Sequence, residues 1–411
     1  MAANPNTLSP SFPAYHSRRM QVMRGKTTIW KDITSAEERK TLTKGVTVAR
    51  PYRSKLIVKT LGADGAYSRQ AITDTTEVLT VNLEKETSFY IRKPDEIQSN
   101  YKTANLYSDD SIKAQDEWID GQVLAEAANA NSVVGAYEIA GTGSASDGLG
   151  ITVTTSNILS IFSKVRMKMK RKHIPKNDRW AVLSQEIFEV LVQFLQGKDS
   201  NYGDLVGKNP NEVGKWGGFR LFVTEGCYWT GVLNFETNPT ANDTIVINGV
   251  TFTFKADTIT TAGYIHICSD AENTLNQLVS AINTPGTSVT EATNAGFYAL
   301  SAADQLLLDG IVAVDGATEL QLKGYGVGYI EVSETLSAAA DIWTTTEQIQ
   351  HNLFGQGRPI DLVIQKYPSL AMVPRSGYVG QDFVSWFLAG LLSFVEGADT
   401  LVDLQARSDA F

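Results

Sequence analysis

The sequence predicts an α+β protein in which a small β-rich unit has been set into a larger scaffold. Three observations carry this. Period-two alternation runs from Val46 to Ile91, a helical apolar stripe follows Asp109, and residues 231–342 have a start, a core pattern and a composition of their own. The flanks of that last segment, Gly217 to Gly226 and Ile342 to Ile349, make better sense joined together, as expected where a folded scaffold tolerates a surface insertion.

The bulk composition bounds the answer. The 411 residues allow about two to three cores. A formal charge of -9 argues against a surface that grips nucleic acid everywhere, and leaves local basic stretches open. The two cysteines, Cys227 and Cys268, show no metal spacing, which suits a reducing compartment and excludes a disulfide scaffold. Met1 to Pro13 lacks the apolar core of a signal peptide. The longest apolar run, Phe383 to Val395, is too short for the roughly 20 residues that cross a bilayer, so it reads as buried core.

Each element follows from local signals. Residues 1–45 read as an arm, because Pro5, Pro10 and Pro13 forbid an early helix; Arg18, Arg19, Arg24 and Lys26 make it cationic, whether as a solvated tail or as a strap on an acidic neighbour or on nucleic acid. Residues 46–93 read as a long two-stranded excursion turning at Gly62-Ala63-Asp64-Gly65. Such a ribbon is marginal alone, and its Arg50, Arg53, Lys55, Lys59 and Arg69 suggest an acidic partner. Asp109 or Asp110 offers an N-cap for a helix carrying Ile112, Ile119, Val123, Ala127 and Ala130, with Trp118 and Leu124 beside the stripe, ending before the Gly/Ser-rich stretch 141–150.

A second helix starts after Ser156 or Asn157 and ends in Lys164, Arg166, Lys168, Lys170, Arg171 and Lys172. The helix dipole accounts for some of these cations but not for six. Pro175 stops it. Trp180 to Leu183 then reads as a buried strand, and Ser184 caps a helix with Ile187, Phe188, Leu191, Val192 and Leu195 inward. Inside the inserted unit, Asn248-Gly249 between two alternating runs is a hairpin signal. Ser269-Asp270-Ala271-Glu272 is a capping box for a helix with Leu275, Leu278, Val279 and Ile282. Short strands are expected near 297–300, 311–314, 319–322 and 327–332, and the glycine-dense Gly324 to Gly328 reads as a sheet-edge loop.

Positive signs of chemistry are missing. His16, His173, His266 and His351 form no pair at ligand spacing, and no phosphate loop, dinucleotide fingerprint, nucleophile elbow or zinc-protease motif occurs. The expectation is no enzyme, no catalytic or metal residue, no cofactor and no membrane contact.

The order of parts (arm, β-excursion, long helix, glycine loop, α/β body) resembles tailed-phage major capsid proteins, the Hong Kong 97-type fold. Arg179 to Leu191 looks like that family's strand-then-helix stretch, and Val213-Gly214-Lys215-Trp216-Gly217-Gly218-Phe219-Arg220-Leu221-Phe222-Val223-Thr224 resembles its glycine-rich strand segment. The match is closest over 151–230 and weak beyond 342. The resemblance implies an N-terminal arm (1–45), an extended loop (46–93), a peripheral domain with a spine helix (94–150), the first part of an axial domain (151–230), an inserted α+β surface domain (231–342), and a return through axial and peripheral domains (343–411).

It also implies self-assembly into hexamers and pentamers of an icosahedral head in the virion, built in the host cytoplasm, with a portal protein, a separate scaffolding protein and packaged double-stranded DNA as partners. Inter-subunit contacts fall on Arg18, Arg19, Arg24, Arg50, Arg53, Lys55, Lys59, Arg69 and Trp118, and the basic run 164–172 faces either the genome or a neighbour's acids. No Lys-Asn crosslink and no fused scaffolding segment are expected. The rival readings are an encapsulin-like nanocompartment shell and a phage tail or adhesion protein whose inserted module does the binding.

Overall fold

The structure, a computed structural model, describes residues 26–40, 42, 44–53, 55–61, 63, 65–93, 103–141, 149–196, 212–257, 259–290, 296–344, 347–374 and 379–407. In chain order the elements are α1 (Trp30–Ile33), β1 (Thr34–Ser35), β2 (Thr47–Arg53), β3 (Asp74–Arg92), α2 (Thr103–Ala125), β4 (Val133–Val134), α3 (Ala136–Ala140), α4 (Ile158–Arg171), β5 (Arg179–Ser184), α5 (Gln185–Gln196), β6 (Glu212–Trp216), β7 (Phe219–Thr224) and β8 (Tyr228–Asn234). Then come β9 (Thr244–Ile247), β10 (Val250–Lys255), β11 (Tyr264–His266), α6 (Ala271–Asn283), β12 (Val289–Thr290), β13 (Gly296–Phe297), α7 (Ala302–Leu307), β14 (Ile311–Asp315), β15 (Glu319–Gly324) and β16 (Val332–Glu334). The chain closes with β17 (Ile349–Gln356), β18 (Ile360–Pro374), β19 (Gly380–Leu392), α8 (Val395–Thr400) and β20 (Val402–Arg407).

The strands form three sheets: a five-stranded one ordered β1-β18-β19-β3-β2, a six-stranded one ordered β12-β13-β11-β10-β9-β16, and a larger one running β14-β15-β8-β17-β5-β7-β6 with β20 and β4 attached at β17. The chain divides into two compact units, one holding 84–115 and 367–387, the other 26–83, 116–366 and 388–407 among the described residues.

In the first unit aromatic stacking does most of the holding. Phe89 stacks on Phe383 at 5.1 Å and tilts against Tyr107 at 5.7 Å. The buried Gln115 donates to Thr87 Oγ1 at 2.6 Å and to the Ser385 carbonyl at 2.8 Å, which satisfies a polar side chain that would otherwise destabilise the helix packing.

Among the described residues of the second unit, three apolar clusters stand out. The central one sits under α4, whose Ile158, Ile161, Phe162, Val165 and Met169 are buried at helical spacing. Phe162 meets Trp216, Phe354 and Phe219 edge-on at 4.5, 5.4 and 6.0 Å. Every residue of β5 is buried because β17 and β7 flank it and α4 and α5 belong to the same core. A second cluster, Trp229 to Trp343, fills the inserted region, and a small third one joins Leu42, Leu79, Val81, Val363 and Phe394.

Several expectations hold and several need correction. The Asn-Gly hairpin forms, with φ of +50° at Asn248 and +82° at Gly249, as a primed turn requires. Helix α2 begins at Thr103, six residues before the expected cap, because Asp109 and Asp110 are tolerated in its second turn, where Asp110 meets Lys113 at 3.8 Å. The N-cap of α6 is Asp270 rather than Ser269; Asp270 accepts from Asn273 N at 2.8 Å. The strand expected at 327–332 is displaced to Val332–Glu334, since Gly326 and Gly328 adopt φ of +69° and +77° and turn the chain away.

The expected boundary at residue 231 falls inside β8. That strand pairs with β17 of the body on one side and with β15 of the inserted region on the other, so one hydrogen-bonded sheet crosses the join. Residues 231–342 therefore contribute most of one apolar cluster and share a sheet with the strands before and after them. The ribbon is likewise shorter than expected: its ladder runs from Thr47↔Thr80 to Arg53↔Asp74, and no strand is assigned to the described residues of 55–73.

Candidate assembly surface

The β2–β3 base is tied to its own chain by charge and carbonyl contacts. Arg50 donates to Glu38 at 2.7 Å and to Asp361 at 3.3 Å, with its guanidinium 4.3 Å from the ring centre of Phe394. Burial opposes the charge on Arg50, yet Glu38 and Asp361 outweigh it and raise its pKa. At Asp361 burial wins instead and the carboxyl is also raised. The cluster thus fixes register more than it adds stability. Glu77 accepts from Val395 N at 2.9 Å, and Gln365 donates to the Leu42 and Gly45 carbonyls at 3.1 and 2.7 Å.

Beyond Arg53 the apolar side chains of the described residues up to Ile72 face water. Leu56, Ile57, Leu61, Tyr67 and Ile72 are all more than 60 % exposed and Val58 is 98 % exposed. A hollow of about 330 Å³ is lined by Leu56, Ile57, Leu61, Tyr67 and Ile72 with Lys59, Thr60, Ser68 and Gln70. Gln70 holds the two limbs together by accepting from Ile57 N at 2.8 Å and donating to the Lys55 carbonyl at 3.1 Å; Lys59 reaches the Arg69 carbonyl at 3.3 Å. An apolar group of this density, held in shape and left bare, is what a docking surface for another protein looks like.

The N-terminal segment is fastened to α2 by three carboxylates in succession. Asp120, only 4 % exposed, accepts from Ile29 N and Trp30 N, both at 2.7 Å, while Glu117 accepts from Lys26 N at 2.8 Å and Asp116 meets Lys31 at 3.4 Å. Burial pushes the Asp120 carboxyl up to about 6, against the two backbone donors and with help from Asp116 and Glu117. Lys26 Nζ also donates to the Gly326 carbonyl at 2.6 Å. Helix and loop touch backbone to backbone here: a Cβ on Gly121 would stand 2.8 Å from Gly326 N. Sequence reasoning missed this contact and read Gly324 to Gly328 as a sheet-edge loop. The pair of glycines, distant in the chain, was the only available signal.

The expected contact residues separate accordingly. Arg50 pairs with Glu38 and Asp361 of its own chain. Arg53, Lys55, Lys59 and Arg69 remain on the exposed segment. Trp118 is half-buried on α2. Arg18, Arg19 and Arg24 lie outside the described residues. In the basic run, Lys168 bonds Glu138 and the Val133 carbonyl, Lys172 bonds Asp399 at 2.9 Å and the Asn131 carbonyl at 3.1 Å, and Arg166 bonds Ser163 Oγ at 3.1 Å.

His351 is buried in the large sheet between Asp403 Oδ2 at 2.8 Å and Thr230 Oγ1 at 3.0 Å, with Tyr228 tilted 5.0 Å away. This is a satisfied core histidine. Cys227 is buried, which drives its thiol well above the usual range, and among the described residues no three His, Cys, Asp or Glu side chains are grouped to hold a metal.

No family model and no curated protein matches the chain. Solved structures do. One from Mycobacterium phage Che8 superposes with a TM-score of 0.55 at 12 % identity over 98 % of both chains. The capsid structure of cyanophage P-SCSP1u gives 0.52 at 13 % identity over 99 % of this chain and 97 % of that one. The chain has the fold of phage capsid subunits. The cyanophage Pam1 capsid gives 0.50 at 9 % identity over 99 % of this chain and all of its counterpart. Among the described residues no helix is long and apolar enough to cross a membrane.

Proposed function

We propose that this chain is the major capsid protein of a tailed double-stranded DNA phage, a structural rather than catalytic protein that assembles into hexamers and pentamers of an icosahedral head. The observation that carries this reading is the exposed segment 55–72 in a chain whose fold is that of capsid subunits along nearly its whole length. Six large apolar side chains on a thin, unsupported ribbon destabilise an isolated subunit's surface, and a second copy laid across them removes that penalty. Weak contacts then accumulate, because each subunit docked raises the effective concentration of the next.

In this reading residues 26–45 and the arm before them, the extended loop and α2 form the inter-subunit lattice, and 231–342 decorates the outside of the shell. Portal protein, a separate scaffolding protein and packaged DNA are the implied partners, and the virion is the location. The exposed cations of α4 favour a nucleic-acid cargo over the protein cargo of a nanocompartment.

Negative-stain microscopy and sedimentation of the expressed chain test the proposal. Closed particles or capsomer rings are expected. A monodisperse monomer or trimer at every concentration and in the presence of crowding agents would overturn it.

A further inference from the structure

Residues 158–179 contain eight Lys or Arg and one acid, Asp178. Folding sorts these cations. Lys168 and Lys172 lie one turn apart on the flank of α4 and are neutralised by Glu138 and Asp399. Arg179 is buried and donates to the Pro175 and Ile174 carbonyls, both at 2.8 Å. Asp178 is taken by Arg220 at 3.0 Å. The rest are Lys164, Arg166, Lys170, Arg171 and Lys176, and among the described residues none of them meets a carboxylate.

Arg166, Lys170 and Arg171 share the exposed face of α4 with Ser163 and Met167, opposite the buried stripe, and Lys176 follows in an exposed turn. Like charges at this spacing repel. Arg179 feels the crowding: burial first, then the charge of Arg166, lowers its pKa. Among the described residues no carboxylate pairs with these five cations.

We propose that the outer face of α4 binds the phosphate backbone of duplex DNA, without regard to sequence, through Arg166, Lys170, Arg171 and Lys176. The biological occupant rests on the container reading above. The chemistry of the face differs from that of the 55–72 segment: four cations that meet no carboxylate among the described residues stand with only Leu159 and Met167 as exposed large apolar side chains, whereas the 55–72 segment is apolar. No Phe, Tyr or Trp is exposed along residues 158–179, so single strands find no stacking platform. Arg166 and Lys170 are separated by about 6 Å of helix axis, a span that covers one to two phosphates of a strand at about 3.4 Å each. Arg166 is held in place by Ser163 Oγ and the Gly217 carbonyl, which orient the guanidinium without neutralising it.

The test is fluorescence anisotropy of the full chain with a 30-base-pair duplex of arbitrary sequence across a sodium chloride series, alongside negative-stain microscopy of the same samples. Four phosphate contacts give a slope of log affinity against log salt of about -3 to -4. The Arg166→Gln, Lys170→Gln, Arg171→Gln variant should be at least about tenfold weaker at low salt with a slope shallower by about 2 to 3. A charge-matched variant, Lys113→Gln, Lys172→Gln, Lys255→Gln, should stay near wild type.

Equal binding by the two triple variants would overturn the proposal, since net charge alone would then explain the effect. So would a first variant that binds DNA normally but no longer forms particles, because a second copy would then occupy the face. Absence of particles from the wild-type chain bears on the container reading and leaves the binding measurement intact.

Discussion

Two short stretches of similar apolar content have opposite fates. Arg179-Trp180-Ala181-Val182-Leu183-Ser184 is wholly buried between β17 and β7, whereas Leu56-Ile57-Val58-Lys59-Thr60-Leu61 lies in water with Val58 bare. Hydrophobicity states that a segment is to be covered. It does not state whether its own chain or another copy does the covering. The first stretch is a strand of the fold; the second is a strand's worth of apolar surface waiting for a partner.

The comparison breaks most visibly at the exposed segment. Val58→Asp with Leu61→Asp should reduce particle yield by at least an order of magnitude while circular dichroism and melting temperature of the unassembled chain change little, since these side chains touch almost none of their own fold. A large fall in melting temperature would mean the segment is core after all. The matching change in the buried stretch, Val182→Asp, should instead prevent folding, because an unpaired charge in the sheet core costs several kcal/mol.

Next in size is the buried clamp on α2. Asp120 has a folded pKa of about 6 against an ordinary 3.8, so its contribution is fully present below about pH 4 and is lost as pH rises through 6. Denaturant titrations should show stability declining over that window by up to about 3 kcal/mol, and Asp120→Asn, which keeps a carbonyl acceptor for Ile29 N and Trp30 N, should abolish the slope. Gly121→Ala should cost about 1 to 3 kcal/mol, because its Cβ meets the Gly326 backbone rather than a side chain that can swing away.

Smallest is the surface pair Lys172–Asp399, whose partners are 30 % and 47 % exposed. Asp399 is held below the usual carboxylate range, chiefly by its hydrogen bond to Lys172. Lys172→Gln should still change stability by no more than about 0.5 kcal/mol, since solvent screens an exposed pair. A larger loss would show that the flanking row of α4 is structural cement rather than a trimmed edge.

How much was legible varies with the range of the interaction. The stripe of α4, the buried β5, the Asn-Gly turn and the apolar face of α6 were readable because each depends on residues within a few turns of one another. The start of α2 was misread since an exposed Asp suits a second turn as well as a cap. That the expected boundary at 231 lies within β8 was hidden, since composition changes there while the hydrogen-bond ladder does not. Of the assembly surface, the ribbon and its cations were visible, but the withdrawal of Arg50 into a cluster with Glu38 and Asp361 depends on a residue about three hundred positions away.

The sequence by itself determined which segments are amphipathic, where chains turn, and that no catalytic motif is spelled out, because periodicity, glycine freedom and charge are properties of neighbours along the chain. Only the tertiary structure decided which cations are spent and which are left bare, that Gly121 and Gly326 meet, and that one sheet runs through body and insertion. Those outcomes are set by distances between residues far apart in sequence, and a one-dimensional string carries no record of them.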